Sequence, residues 1–149
     1  MILYDDKKLL LSEGDEASAA YIRKQLIAYN MASVPRDGLL ELEPLQIVLK
    51  DEAGTIVGGI NANTIAYWKK CRIDIFWIDE NYRKTGYGSI LLKKVEEIAR
   101  DRGCTVVQLD TYSFQAPAFY QKNGYEVFGA IENSPTGHTQ YFLKKSLLK

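Results

Sequence analysis

Histidine and cysteine are scarce in this sequence of 149 residues, which contains one histidine, His138, and two cysteines, Cys71 and Cys104. A structural zinc site takes four Cys or His ligands. Three such residues, with no CxxC pair among them, exclude a site of this kind. We therefore expect no bound metal, and we expect the two cysteines to be reduced, partly buried thiols.

The sequence also lacks long apolar segments and an excess of charge of either sign. The longest run without a charged residue, Ala53–Trp68, is interrupted by glycine and asparagine and is shorter than the roughly 20 apolar residues of a membrane-spanning helix. Residues 1–14 contain two aspartates and two lysines where a secretion signal has its apolar core. Nineteen basic residues balance nineteen acidic ones, which gives no general attraction to nucleic acid or anionic membranes. We expect a cytoplasmic protein that binds neither.

The sequence does contain enough apolar residues for a core, with 46% hydrophobic and 26% charged residues. Because it has no internal repeat and no linker-like segment, we expect one domain over residues 1–149. Residue patterns predict strands at 9–11, 45–50, 55–65, 72–78, 105–110, 125–130 and 139–147, and helices at 15–29, 88–102 and 115–122. This order predicts an α/β fold in which helices pack on a mixed sheet.

The predicted strand at residues 72–78 has a regular alternation. It places Ile73, Ile75 and Trp77 on one face and Asp74 on the other. This strand, the helix that follows and the next strand are expected to form a right-handed crossover.

A glycine-containing loop, Arg83-Lys84-Thr85-Gly86-Tyr87-Gly88, joins that strand to the helix. Glycine lets the backbone approach a ligand closely. The free N–H groups and the positive dipole end of a helix N-terminus bind anions, and Arg83 and Lys84 add positive charge there. The loop therefore predicts a site for a phosphate-bearing ligand. Its spacing matches neither a P-loop nor a dinucleotide-binding fingerprint.

The loop resembles the pyrophosphate-binding motif of the GCN5-related N-acetyltransferase (GNAT) family, which reads Arg or Gln, two residues, Gly, one residue, then Gly or Ala. Arg83, Gly86 and Gly88 match it position by position. Residues 116–125 resemble the second signature of the family, which contains a tyrosine followed by glycine and an aromatic residue. The resemblance covers residues 72–147, about half of the chain.

The resemblance implies a GNAT-like acyl-CoA acyltransferase fold, with a mixed, largely antiparallel sheet of six to seven strands flanked by helices. It also implies transfer of an acetyl group from acetyl-CoA to a primary amine of a small molecule or peptide, by direct attack in a ternary complex. The cofactor arm would lie between two splayed parallel strands. The cofactor-binding residues that the resemblance implies are Phe76, Ile78, Arg83, Lys84, Thr85, Gly86, Tyr87, Gly88, Ser89 and Ser113.

One of these positions departs from the family pattern. Many family members carry an asparagine that contacts the cofactor arm where this sequence has Ser113. Either Gln115 compensates for it or the contact is absent.

Two residues are candidates for the chemistry. An alkylamine with a pKa near 10.4 is almost fully protonated at neutral pH, so a base or a water path is required. Asp74 is the predicted base, and the alternative is a surface or salt-bridging carboxylate.

Tyr120 aligns with the tyrosine that serves the family as general acid. Because a phenol is a weaker acid than a thiol, we expect it to donate a hydrogen bond and relay a proton, and the alternative is a core tyrosine.

Other assignments stay open at this level. His138 either lines the acceptor pocket or is exposed to solvent. The same fold could serve as a non-catalytic acyl-CoA-binding sensor or interaction module, and the loop alone could serve a nucleotide-binding domain. Because homodimers are common on this scaffold, a homodimer is a further expectation.

Overall fold

The computed structural model describes residues 2–4, 8–34 and 42–148. The chain divides into two compact units, residues 1–38 and 39–149. A single domain over the whole chain stays a prediction. None of the described helices is both long and apolar enough to cross a membrane.

The first unit contains a two-stranded antiparallel sheet and one helix. Strand β1 (Ile2–Tyr4), which the residue pattern did not predict, pairs with the predicted strand β2 (Leu9–Leu11). Helix α1 (Glu16–Ser33) begins after Asp15, whose carboxylate accepts a hydrogen bond of 2.9 Å from the Ser18 N–H. The Ser18 hydroxyl in turn accepts from the Asp15 N–H, which completes a capping box at the predicted helix start.

The second unit is a six-stranded sheet with two helices. Its strands are β3 (Leu42–Lys50), β4 (Ile56–Ile65), β5 (Lys70–Ile78), β6 (Val106–Tyr112), β7 (Glu126–Glu132) and β8 (Thr139–Ser146), and its helices are α2 (Tyr87–Asp101) and α3 (Pro117–Lys122). The spatial order is β3-β4-β5-β6-β8-β7, and only β5 and β6 pair in parallel. The predicted fold, a mixed and largely antiparallel sheet flanked by helices, is confirmed.

Helix α2 supplies one side of the core. Leu92, Val95 and Ala99 are fully buried, as the helical spacing of its apolar residues predicts. They pack with sheet residues such as Ile60 and Val107 in one cluster. Burying an apolar side chain of the size of leucine or valine stabilises a fold by about 1.5–3 kcal/mol, so this face fixes the helix on the sheet.

Strand β5 changes its buried face at Asp74. Consecutive residues of β4 pair with Ile73 and Ile75, which leaves Asp74 as an extra residue in a β-bulge. Ile73 is buried, but Ile75 is 58% exposed, and Phe76 packs against the core instead. The predicted shared face of Ile73, Ile75 and Trp77 is therefore wrong beyond Asp74, because a bulge shifts the two-residue period by one position.

Strands β5 and β6 pair over only part of their length. The ladder joins residues 70–72 to residues 106–108, whereas β5 continues to Ile78 and β6 to Tyr112. Beyond the ladder the two strands diverge, which leaves part of each strand edge open to a ligand.

A buried ion pair ties α2 to β8. The Glu96 side chain is almost fully buried, and the Lys145 Nζ lies 2.8 Å from its Oε1 atom. The Tyr125 hydroxyl donates a hydrogen bond of 2.8 Å to Oε2, and Lys145 also donates to the Asn123 carbonyl at 2.9 Å. These bonds hold the segment after α3 against α2.

Replacing Lys145 by methionine should lower the free energy of unfolding by about 3–5 kcal/mol, because the buried Glu96 carboxylate would lose its cation. Lys144 is the matched control, since its Nζ lies 3.9 Å from the exposed Glu126 carboxylate. Lys144→Met should lower the same free energy by about 1 kcal/mol or less. Urea denaturation followed by circular dichroism measures both. Equal losses for the two variants would show that the Glu96 pair does not have this role.

Candidate active site

A cleft of about 990 Å³ lies where β5 and β6 separate. Its volume is within the usual range of small-molecule sites. It is lined by these residues predicted from the sequence: Asp74, Phe76, Ile78, Arg83, Lys84, Gly86, Gly88, Ser89 and Tyr120. The structure therefore brings residues of two strands, the glycine loop and α3 to one place.

The outer part of β5 presents backbone groups to this cleft. The Asp79 N–H donates a hydrogen bond of 2.8 Å to the Val57 carbonyl, so the backbone of Asp79 points toward β4. Successive residues of a strand point their backbone groups to opposite sides. The backbone groups of Ile78 and Phe76 therefore face the open edge, the side toward β6.

The loop after β5 folds back on the end of that strand. The Arg83 Nε donates a hydrogen bond of 2.8 Å to the Ile78 carbonyl. The Thr85 hydroxyl donates one of 2.6 Å to the Tyr82 carbonyl. The Arg83 guanidinium thus holds the loop against the end of β5 through Nε. Because Arg83 also lines the cleft, it adds positive charge there.

The start of α2 has the features of an anion site. Gly86 precedes the helix with a φ of +90°, and a Cβ built there would meet no atom within 4 Å. The N–H groups of Tyr87, Gly88 and Ser89 have no acceptor within the helix, because they belong to its first turn. Glycine at the N-cap position has no side chain that could accept from them instead. Gly88 is constrained differently, because its Cβ would lie 2.9 Å from the Phe119 ring. Free amides, the helix dipole and the nearby cations together favour a phosphate.

Tyr120 is held in a cluster of aromatic rings on the wall of the cleft. Its ring centroid lies 6.1 Å from that of Phe76, 5.3 Å from that of Phe119 and 6.0 Å from that of Tyr125. Burial, and secondly the negative charge of Asp110, raises the pKa of Tyr120 to about 12. The phenol is therefore un-ionised at neutral pH.

The Tyr120 hydroxyl is free to meet a ligand. No described residue forms a hydrogen bond with it, and no buried side-chain oxygen in residues 2–4, 8–34 and 42–148 lacks a partner. The hydroxyl is therefore in contact with the open cleft, although the residue as a whole is only 9% exposed.

Asp74 has both a place in the cleft and partners of its own. The Asn63 side-chain amide donates a hydrogen bond of 2.7 Å to Oδ2, and the Arg72 Nε lies 3.4 Å from Oδ1. Exposed ion pairs of this kind contribute about 1 kcal/mol or less to stability. The role of Asp74 as a base stays a prediction.

Three predicted cofactor ligands, Thr85, Tyr87 and Ser113, are absent from the lining of the cleft. The Ser113 hydroxyl accepts a hydrogen bond of 3.0 Å from the Thr139 N–H and lies 3.3 Å from the His138 Nδ1. His138 is exposed and does not line the cleft. Direct contact of these residues with a cofactor stays a prediction.

Gln115, the suggested substitute for the missing asparagine, does line the cleft. Its Oε1 accepts hydrogen bonds of 2.9 Å from both the Thr111 hydroxyl and the Tyr112 N–H. With the amide oxygen held on β6, the remaining donor of the side chain is Nε2.

The sequence reasoning missed nine other residues of the lining: Ile75, Trp77, Tyr82, Asp110, Thr111, Phe114, Ala116, Phe119 and Lys122. For the acidic and aromatic residues among them, the sequence signal is a carboxylate or an aromatic ring near the end of a predicted strand or helix. That signal is weak, because many such residues lie elsewhere in the sequence.

Comparison with known proteins agrees with this geometry. The sequence model of the acetyltransferase (GNAT) family matches residues 12–125. A blasticidin-S acetyltransferase of Streptomyces morookaense is 33% identical over 121 residues, which cover 78% of this chain and 88% of that protein. The crystal structure of an acetyltransferase from Bacillus cereus is 38% identical with a TM-score of 0.84, over 93% of this chain and 97% of that chain.

An aminoglycoside 6′-N-acetyltransferase solved in complex with coenzyme A has the same fold, with a TM-score of 0.62 and 18% identity over 95% of this chain and 98% of that chain. The family match includes the glycine loop, both splayed strands and Tyr120. This chain therefore belongs to the GNAT family of acetyltransferases.

Proposed function

We propose that this protein transfers the acetyl group of acetyl-CoA to a primary amine of a small molecule or peptide within a ternary complex. The observation that carries the proposal is the cleft between β5 and β6, which has an anion site at one end and the free Tyr120 hydroxyl on its wall. A relative named for blasticidin S and a structural neighbour named for aminoglycosides favour a small-molecule acceptor over a peptide.

The residues of the cleft fit the cofactor. The N–H groups of residues 84–89, with the charges of Arg83 and Lys84, would hold its diphosphate. The open space at Gly86 leaves room for a phosphate next to the backbone. The backbone groups of Phe76 and the N–H of Ile78, whose carbonyl already accepts from Arg83, would pair with the amides of the arm along the open edge of β5.

Acetyl-CoA supplies an activated thioester. In the reaction the amine nitrogen forms a bond to the acetyl carbon, the carbon–sulfur bond breaks, and the amine loses a proton while the sulfur gains one. A pKa of about 12 makes the Tyr120 phenol a weaker acid than a thiol of pKa about 8.5. Full proton donation by Tyr120 is then uphill by about 5 kcal/mol. Asp74 accepts, directly or through water, the proton that the ammonium form of the amine loses before it attacks. Tyr120 therefore acts as a hydrogen-bond donor to the sulfur and relays to it the second proton, which the nitrogen loses as the amide forms.

Acetyl-CoA with a panel of amines should give thiol release that depends on the amine, measured with a thiol-reactive dye. The panel contains benzylamine, tyramine, spermidine and kanamycin. Binding of acetyl-CoA without thiol release for any amine would favour the non-catalytic acyl-CoA-binding sensor.

At 100 times its dissociation constant acetyl-CoA should add about 2.7 kcal/mol to the free energy of unfolding, and an equal gain with ATP would favour a nucleotide-binding domain.

Gly86→Val should weaken acetyl-CoA binding by at least about tenfold, because valine is strained at a φ of +90° and would fill the open space beside the amides. Thr85→Ala is the neighbouring control, since its hydroxyl bonds to Tyr82 and not to the cleft. Its dissociation constant should stay within about threefold of that of the wild type. Isothermal titration calorimetry compares the two, and equal losses would contradict a backbone-based diphosphate site.

Tyr120→Phe should lower kcat by about 100-fold or more, because the donor at the sulfur is lost. The dissociation constant of acetyl-CoA should change little. Tyr141→Phe, a variant of a β8 tyrosine outside the cleft, serves as the control and should keep kcat within about threefold.

With a Tyr120 pKa of about 12, the wild-type profile of kcat against pH should show no fall from tyrosine ionisation at or below about pH 10. A fall in wild-type kcat that is centred at or below about pH 10 and is absent from the profile of Tyr120→Phe would contradict this prediction.

A further inference from the structure

Asp110 lies on β6 just beyond the point where the two parallel strands separate. The ladder between β5 and β6 ends at Gln108, two residues earlier, and Asp110 lines the cleft. Along β6 the odd-numbered positions from Val107 to Thr111 face the core, whereas the even-numbered positions are half-buried. The carboxylate of Asp110 is therefore partly shielded from water while it remains open to a ligand.

The Asp110 carboxylate is fixed in place but not neutralised. The Gln140 side-chain amide on β8 donates a hydrogen bond of 2.9 Å to its Oδ2 atom. Among the described residues, no lysine or arginine lies within ion-pair distance of Asp110, in contrast to Asp74, which has Arg72. A cation that enters the cleft would therefore meet a carboxylate whose charge no neighbouring lysine or arginine among the described residues offsets.

This carboxylate lines the same cleft as the hydroxyl that the proposed reaction uses. Its negative charge is one of the two causes that raise the pKa of Tyr120, so the two groups are within electrostatic reach of each other. Two cations of the cleft, Arg83 and Lys84, lie in the loop beyond the end of β5, and a third, Lys122, lies at the end of α3 and forms no ion pair with Asp110. The cleft thus offers positive charge where phosphate would bind and an unneutralised negative charge near Tyr120.

We propose that Asp110 binds the ammonium group of the acetyl acceptor, so that the protein acts on cationic amines. The inference rests on the proposed acetyl transfer. A protonated amine donates a charge-assisted hydrogen bond to Asp110. After the amine gives one proton to the base, the neutral nitrogen still donates an N–H to the same carboxylate. Asp110 therefore selects the acceptor by charge and keeps its nitrogen near Tyr120.

Asp110→Asn tests this assignment, because asparagine has nearly the same size and its amide oxygen still accepts from Gln140. Steady-state kinetics would use the most active cationic amine of the panel of benzylamine, tyramine, spermidine and kanamycin. The neutral probe is O-benzylhydroxylamine, in which an oxygen replaces the methylene next to nitrogen in the phenethylamine skeleton of tyramine. The variant should raise KM for the cationic amine by about 10- to 100-fold with kcat within about threefold, and it should leave KM for O-benzylhydroxylamine unchanged.

Asp101→Asn is the matched control, since this exposed residue at the end of α2 gives the same change in net charge. Its KM for the cationic amine should equal that of the wild type, which separates a local contact from a general effect of charge. Calorimetry with acetyl-CoA should give the wild-type dissociation constant for both variants, which shows that the fold and the cofactor site are intact.

The inference is overturned if Asp110→Asn leaves KM for the cationic amine unchanged. It is equally overturned if kcat falls at constant KM, which would make Asp110 a base, or if the wild type prefers O-benzylhydroxylamine. In these cases acetyl transfer by the wild type still stands. A wild type that releases no thiol with any amine would overturn the proposed function and this inference together.

Discussion

The site depends on one interruption of hydrogen bonding, the end of the ladder between β5 and β6 after Arg72 and Gln108. Up to that point the two parallel strands satisfy each other's backbone groups. Beyond it the two strands no longer pair with each other, and backbone donors and acceptors that lose such partners require others. The Arg83 side chain meets this need at the Ile78 carbonyl. A cofactor arm with amide groups can supply the remaining partners. The same divergence opens the sheet, so that the Tyr120 hydroxyl of α3 reaches the cleft.

The loop and the strands that line the cleft contribute charges of opposite sign. The loop after β5 contributes Arg83, Lys84 and the free amides at the start of α2, which favour anions. The strands contribute Asp74, which already has partners in Arg72 and Asn63, and Asp110, whose side-chain partner within the described part of the chain is the neutral Gln140. An acetyl donor with phosphates and an acceptor with a positive charge would therefore enter the same cleft without competing for the same groups.

Rigid packing supports this arrangement from behind. The aromatic rings around Tyr120 fix the orientation of its phenol, and one of them, Tyr125, is bonded through Glu96 to Lys145. A buried carboxylate with both oxygens engaged leaves α2 and the segment after α3 little freedom to move apart. The proposed hydrogen bond from Tyr120 to the sulfur of acetyl-CoA would require that kind of constraint.

The sequence by itself determined the order of the elements except for β1, the glycine loop of residues 83–88 and the place of Tyr120 in a family signature. Helix periodicity, turn chemistry and helix-terminal charge act over a few neighbouring residues, so the pattern of those residues predicts them. Only the tertiary structure decided that the buried face of β5 changes at Asp74 and that Asp110 lines the same cleft. Both depend on how one strand pairs with another, and the residues of a single strand do not specify where a bulge occurs or where a ladder ends.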